Sequence, residues 1–151
     1  MTITVGINGF GRIGRCTLMH IAEAAREDVK VVKINATGPL ETAAHLVRYD
    51  SVHGRFANEV IVQNGTMDVG QGPTRMMSNY DMDELDWTGD DVVLECTGNL
   101  NDVEKVRKLI WRVALKVLIV ATAKKEQKTT VYTRAECTTY VHDNKILQVP
   151  I

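Results

Sequence analysis

The chain has 151 residues, enough for one domain of ordinary size with a real core. Its 44% hydrophobic and 25% charged residues exclude a disordered or fibrous chain, and a formal net charge of -1 leaves no basic excess to grip a nucleic-acid backbone. No apolar run is long enough to span a bilayer, the amino terminus lacks a signal-peptide pattern, and three widely spaced cysteines (Cys16, Cys96, Cys137) fit neither a disulfide framework nor a zinc site, so a cytoplasmic setting is expected.

In chain order, residues 3–7 form a short apolar run of the kind found in buried parallel strands. A glycine-rich turn follows, and then Leu18, Ile21, Ala22 and Ala25 recur at helical spacing. Residues 29–34 read as the next strand, and Ala43, Ala44 and Val47 mark a second, shorter helix. The segments 60–63, 67–69 and 74–77 are short and extended. Asn64-Gly65 between the first two is a strong hairpin signal, so a small antiparallel insertion is expected there. Strand 91–95, a helical stripe through Val103, Val106, Ile110, Val113 and Ala114, and strand 116–121 then restore the alternation; 129–132 and 145–149 are further strand candidates. This pattern predicts a single α/β domain spanning 1–151, a doubly wound and mostly parallel Rossmann sheet with a small antiparallel insertion.

The segment Gly9-Phe10-Gly11-Arg12-Ile13-Gly14 carries the chemistry. G-x-G-x-x-G alone is weak, but here a buried strand precedes it and an amphipathic helix follows, which weighs against a merely structural turn. The first glycine permits the tight turn, the second lets a pyrophosphate approach the backbone, and the third lets helix pack on strand. The free amides and positive dipole end of the helix then favour phosphate. A dinucleotide is the expected partner, with no nucleic acid, membrane or metal.

Three ordered segments resemble one family: the opening Val5-Gly6-Ile7-Asn8-Gly9-Phe10-Gly11-Arg12-Ile13-Gly14-Arg15, then Tyr49-Asp50-Ser51-Val52-His53-Gly54-Arg55-Phe56, then Leu85-Asp86-Trp87 followed by Asp91 to Gly98. They resemble the cofactor domain of glyceraldehyde-3-phosphate dehydrogenases and their erythrose-4-phosphate relatives, closely to about residue 108 and more loosely to Leu147. The resemblance implies that Asn8, Gly9, Phe10, Gly11, Arg12, Ile13 and Gly14 line the pyrophosphate. It implies that Asn35 and Ala36 lie at the adenosine ribose, with Arg75 and Ser78 flanking the adenine. Cys96, Thr97, Gly98 and Thr122 fall on the nicotinamide side.

The chain also departs from that family. An Asp usually follows the second-strand Asn and binds the ribose hydroxyls, but here the segment reads Ile34-Asn35-Ala36-Thr37-Gly38. Ala36 cannot accept that hydrogen bond, and the missing charge removes the repulsion that excludes a phosphate. NAD is expected, with NADP also admissible; Lys33 is the nearest cation. The family's catalytic cysteine follows the strand corresponding to 145–147, whereas this sequence ends at Ile151. Cys137-Thr138-Thr139 echoes its motif but precedes that strand. Residues 110–115, 120–123 and 133–136 also differ from the family pattern. The expectation is therefore a stand-alone cofactor domain, truncated or engineered, with no catalytic residue of its own and a monomeric or weakly self-associating state. The alternatives are a minimal oxidoreductase using Cys137 and a scaffold with little cofactor affinity. Cys16 and Cys96 read as small core residues and His53 as structural. A surface pair of Asp50 with Arg55 would be worth little.

Overall fold

The computed structural model describes residues 1–98, 116–120 and 146–148. The helical stripe from Val103 to Ala114, the strand candidate 129–132, Thr122 and Cys137 lie outside the described residues.

Strand β1 (Ile3–Asn8) feeds helix α1 (Arg12–Glu23), strand β2 (Val29–Asn35) and helix α2 (Leu40–Arg48). Their inward residues Val5, Ile7, Leu18, Met19, Ala22, Val31, Ile34, Ala44 and Val47 are buried in one core. The two helices follow the expected apolar spacing, with Leu18, Met19 and Ala22 buried on α1 and Ala43, Ala44 and Val47 on α2. Helix α1 stops before Ala25, which takes a left-handed φ of 48°.

A two-stranded antiparallel ribbon follows, β3 (Tyr49–Asp50) with β4 (Gly54–Arg55), and then β5 (Ile61–Gln63), β6 (Thr66–Asp68) and β7 (Thr74–Met77). Asn64 and Gly65 form the two-residue hairpin turn between β5 and β6, both with positive φ (49° and 74°), as a primed turn requires. The strand at 74–77 is more than part of an antiparallel insertion. β7 pairs parallel with β2 through Lys33↔Arg75, Ile34↔Met76 and Asn35↔Met77, while pairing antiparallel with β6. The reversal between β6 and β7 is held by the Asp68 carboxylate, which accepts the amides of Gly70 and Gly72 at 2.8 and 3.0 Å.

Among the described residues, strands β8 (Val92–Glu95), β9 (Lys116–Ile119) and β10 (Ile146–Gln148) extend the sheet to eight strands in the order β10-β9-β8-β1-β2-β7-β6-β5. The six strands from β10 to β7 run parallel to one another, while β6 pairs antiparallel with both β7 and β5. The chain moves from β1 outward through β2 to β7, then returns to β8 on the other side of β1. The carboxyl ends of β1, β2 and β8 therefore meet at a topological switch point, where such sheets hold ligands.

Two contacts lock this centre. The Trp87 ring lies over β1 where a Cβ on Gly6 would come within 2.6 Å of it, so the Leu85-Asp86-Trp87 segment requires a glycine at that point of the strand. Asp50 is buried and pairs with Arg15 at 3.3 Å rather than with Arg55, tying the ribbon to α1. It also accepts the amides of Val52 and His53 at 2.9 and 3.0 Å. Those amides, and secondarily Arg15, hold the Asp50 carboxyl at about 2. His53 contacts Glu23 at 2.8 Å, a second tie between the same elements.

Candidate functional site

A cleft of about 480 Å³ opens at the carboxyl ends of the central strands. Its walls come from the β1–α1 turn, the β2–α2 turn and first turns of α2, the segment after β7, and the segment after β8. Of the residues singled out from sequence, Asn8, Gly9, Phe10, Gly11, Asn35, Ala36, Cys96 and Thr97 line it.

The glycine turn divides its labour as the pattern requires. Gly9 has a φ of +94°, and a Cβ there would come within 2.7 Å of the Thr97 amide nitrogen. At Gly14 a Cβ would run into the Gly9 carbonyl oxygen, so the third glycine lets α1 sit against the turn. Gly11 is different. Its backbone is extended, with φ −73° and ψ −161°, and a Cβ there would meet nothing within 4 Å. Nothing inside the described protein demands a glycine at 11; only something arriving from outside would. Gly11 is also the N-cap of α1, where no side chain caps the helix and the first turn carries no acidic residue. The first-turn amides of Arg12, Ile13 and Gly14, which have no partner within the helix, are therefore left to serve an anion.

The cleft floor is polar and buried. Asn8, Asn35 and Glu95 are 2%, 5% and 1% exposed, and each is the last residue of its strand. The register pairs Asn8 with both Asn35 and Glu95, so the three stand side by side. Asn8 Nδ2 donates to Glu95 Oε2 at 2.6 Å, and Asn35 Nδ2 donates to Asn8 Oδ1 at 2.9 Å. Asn35 also clasps the Asn79 backbone, donating to its carbonyl and accepting from its amide, both at 3.0 Å. The amide and hydroxyl of Thr97 both donate to Glu95 Oε1. Burial pushes the Glu95 carboxyl up, against the opposing pull of the Thr97 and Asn8 hydrogen bonds. Burial, and secondarily the Glu95 charge, pushes the Cys96 thiol up to about 12, so this cysteine is no nucleophile near neutral pH.

The remaining expected residues are placed differently. Arg12 and Ile13 begin α1 beside the cleft, with Arg12 exposed, and Gly98 is an exposed left-handed residue (φ 71°) after Thr97. Arg75 faces the outer surface, 3.6 Å from Asp86, and Ser78 is exposed; neither lines the cleft. Asn79 and Tyr80 do, together with Thr37, Gly38, Pro39, Thr42 and Leu46 around the start of α2. Recognising β7 as a parallel strand would have pointed to Asn79 and Tyr80, because the residues after such a strand fall at the ligand end of the sheet. Among the described residues, none that lines the cleft is charged. Lys33 is turned away, donating to the Thr88 carbonyl at 2.8 Å and pairing with buried Asp90 at 3.4 Å.

Fold, glycine turn and switch-point cleft define a dinucleotide-binding α/β domain. The family model for "Glyceraldehyde 3-phosphate dehydrogenase, NAD binding domain" matches residues 3–103, and the chain belongs to that family, whose cofactor is NAD. It is 46% identical over 132 residues to the glyceraldehyde-3-phosphate dehydrogenase of Cereibacter sphaeroides and 46% identical over 134 residues to that of Xanthobacter flavus. It is 40% identical over 133 residues to glyceraldehyde-3-phosphate dehydrogenase 1 of Streptomyces arenae. Each match covers 87% of this chain and 40% of the relative, so the chain spans well under half the length of these relatives. Among the described residues no helix is long and apolar enough to cross a membrane.

Proposed function

We propose that this chain holds NAD in the switch-point cleft and supplies the cofactor half of an aldehyde-oxidising, phosphorylating dehydrogenase. The observation that carries the reading is Gly11: a glycine with open space around it at an uncapped helix start, in the middle of a cleft wall. The residues fit the cofactor. The first-turn amides of α1 would receive the pyrophosphate. The walls around Ala36 and Thr37, with Asn79 and Tyr80, would take the adenosine end, and Thr97 and Gly98 the nicotinamide end. When bound, NAD supplies a hydride acceptor; these residues orient it and exclude water from one face.

The adenosine end supports a further point. Ala36 offers no carboxylate to ribose hydroxyls and no charge against a 2′-phosphate, and Lys33 is engaged elsewhere. NADP therefore enters as well, with neither repulsion nor a dedicated cation among the described residues. This reading makes the protein a cytoplasmic dinucleotide binder without nucleic-acid or membrane partners, monomeric or weakly self-associating. Calorimetric titration with NAD and NADP in parallel tests it. Saturable binding of both, lost in Gly11→Val, is expected; a folded chain that binds neither would overturn the reading.

A further inference from the structure

The polar floor of the cleft has a direction, and the direction dictates the residue at its end. The backbone of Asn79 offers an N–H that only donates and a carbonyl that only accepts, and the Asn35 amide meets both. Asn35 therefore cannot be turned over: its oxygen faces the Asn79 amide and its nitrogen faces the Asn79 carbonyl. That nitrogen also donates to Asn8, so Asn8 must present its oxygen there and its nitrogen to Glu95. At the far end the Thr97 amide, which again only donates, meets the other oxygen of Glu95. Residue 95 must accept on both sides. A carboxylate does so; an amide has one accepting oxygen and would set its nitrogen against a donor.

We propose that Glu95 is the positioning residue of the cleft: its carboxylate terminates a one-way hydrogen-bond chain that ties the Thr97 wall to the Asn79 wall. Asn79 and Thr97 both line the cleft, while Glu95 lies beneath it and is not itself a lining residue. The two ends of an elongated ligand thus rest on walls that share one set of hydrogen bonds across β2, β1 and β8. Gln at position 95 keeps the shape and breaks the polarity, and the break cannot be absorbed by flipping amides, because backbone groups fix both ends. The chain itself stands independently of what the cleft holds; its consequence for affinity rests on the dinucleotide reading.

The same logic supplies a rescue. With Gln at 95 donating toward residue 8, residue 8 must accept from both 95 and Asn35, as a carboxylate would. Glu95→Gln alone leaves two donors face to face, Asn8→Asp alone sets two carboxylates against each other, and the double variant restores every bond with the charge moved one strand over. The experiment measures amide hydrogen exchange at Thr97 and Asn79, and the melting temperature, in the ligand-free chain and all three variants. Calorimetry with NAD is added for the wild type and Glu95→Gln. Leaving a buried donor unmet predicts exchange about tenfold faster at both amides and NAD binding about tenfold weaker in Glu95→Gln. The double variant is expected to return both exchange rates and the melting temperature towards wild type.

Wild-type exchange at Asn79 in Glu95→Gln, or a double variant no better than the worse single one, overturns the chain. If Glu95→Gln fails to fold, the double variant decides: folding supports the proposal and failure to fold overturns it. Unchanged NAD affinity in Glu95→Gln overturns the positioning role. No NAD binding by the wild type removes the dinucleotide reading, and the exchange data still decide the chain.

Discussion

Replacing Gly11 by serine separates the two uses of glycine in the turn. The backbone there is extended and a Cβ meets nothing within 4 Å, so the folded chain loses nothing to sterics. Gly11 is the N-cap of α1, and serine caps a helix better than glycine by a few tenths of a kcal/mol, so stability should hold or rise slightly, by ~0.5 kcal/mol or less. Binding should move the other way. The serine hydroxyl occupies the approach to the first-turn amides and accepts from one of them. Hydrogen bonds from such amides to a phosphate are each worth about 1.5–3 kcal/mol. Losing that one therefore weakens NAD by about 1.5–3 kcal/mol, roughly ten- to a hundredfold in Kd. Gly14→Ala is the control, since its Cβ would strike the Gly9 carbonyl oxygen and lie 3.1 Å from Ile7 Cγ2. Such overpacking costs about 1–3 kcal/mol. That lowers the melting temperature of a chain this size by roughly 2–12 °C. Thermal melting and calorimetric titration of the two variants side by side give the answer. A Gly11→Ser chain that binds NAD like the wild type, or melts as low as Gly14→Ala, refutes the assignment of Gly11 to the ligand.

Three further outcomes are expected. Ala36→Asp restores an acceptor for ribose hydroxyls and a charge against the 2′-phosphate, so the NADP-to-NAD affinity ratio should fall about tenfold or more by parallel titration; an unchanged ratio would place the ribose elsewhere. The Asp50 carboxyl is held at about 2, below its usual 3.8, so its stabilising contribution is complete above the usual value and disappears as pH falls towards 2. Asp50→Asn should therefore lose stability at neutral pH and flatten the acid side of the stability profile in that window, read by denaturant unfolding at stepped pH. Cys96, with its thiol pushed up to about 12, carries a thiolate fraction of about one in ten thousand at about pH 8, so peptide mapping after iodoacetamide treatment should find it unmodified in the folded chain and modified after denaturation.

The sheet was legible because its signals are local. The run from Ile3 to Ile7, the glycine turn and the Asn64-Gly65 hairpin each state their structure within a few residues, and all three form as read. The role of β7 was not legible in the same way. Residues 74–77 follow a hairpin and a glycine-proline turn, which suggests another antiparallel return, yet the strand lies between β6 and β2 and runs parallel to β2. That choice is made by partners more than forty residues away, as in the Thr74 hydroxyl donating to the Val31 carbonyl at 3.0 Å. Asp50 shows the same limit: Arg55 is nearer in sequence, but the fold delivers Arg15.

The site shows where reading residues one at a time stops. Asn8 and Asn35 carry amides at strand ends, so each reads as a group offered to a ligand. In the fold their amides are spent on each other, on Glu95 and on Asn79. The missing information is register. β1 is flanked by β2 and β8 with their last residues aligned, and parallel strands in step put side chains of equal rank on the same side of the sheet. Three polar residues at three aligned strand ends must therefore bond to one another or be buried unsatisfied, and the second option costs more than the fold can spare. Among the described residues, what the cleft then offers a ligand is backbone and uncharged side chains above a hydrogen-bonded polar floor. A site of that kind recognises by shape and by helix amides, which explains why its walls can be uncharged and still suit a dinucleotide.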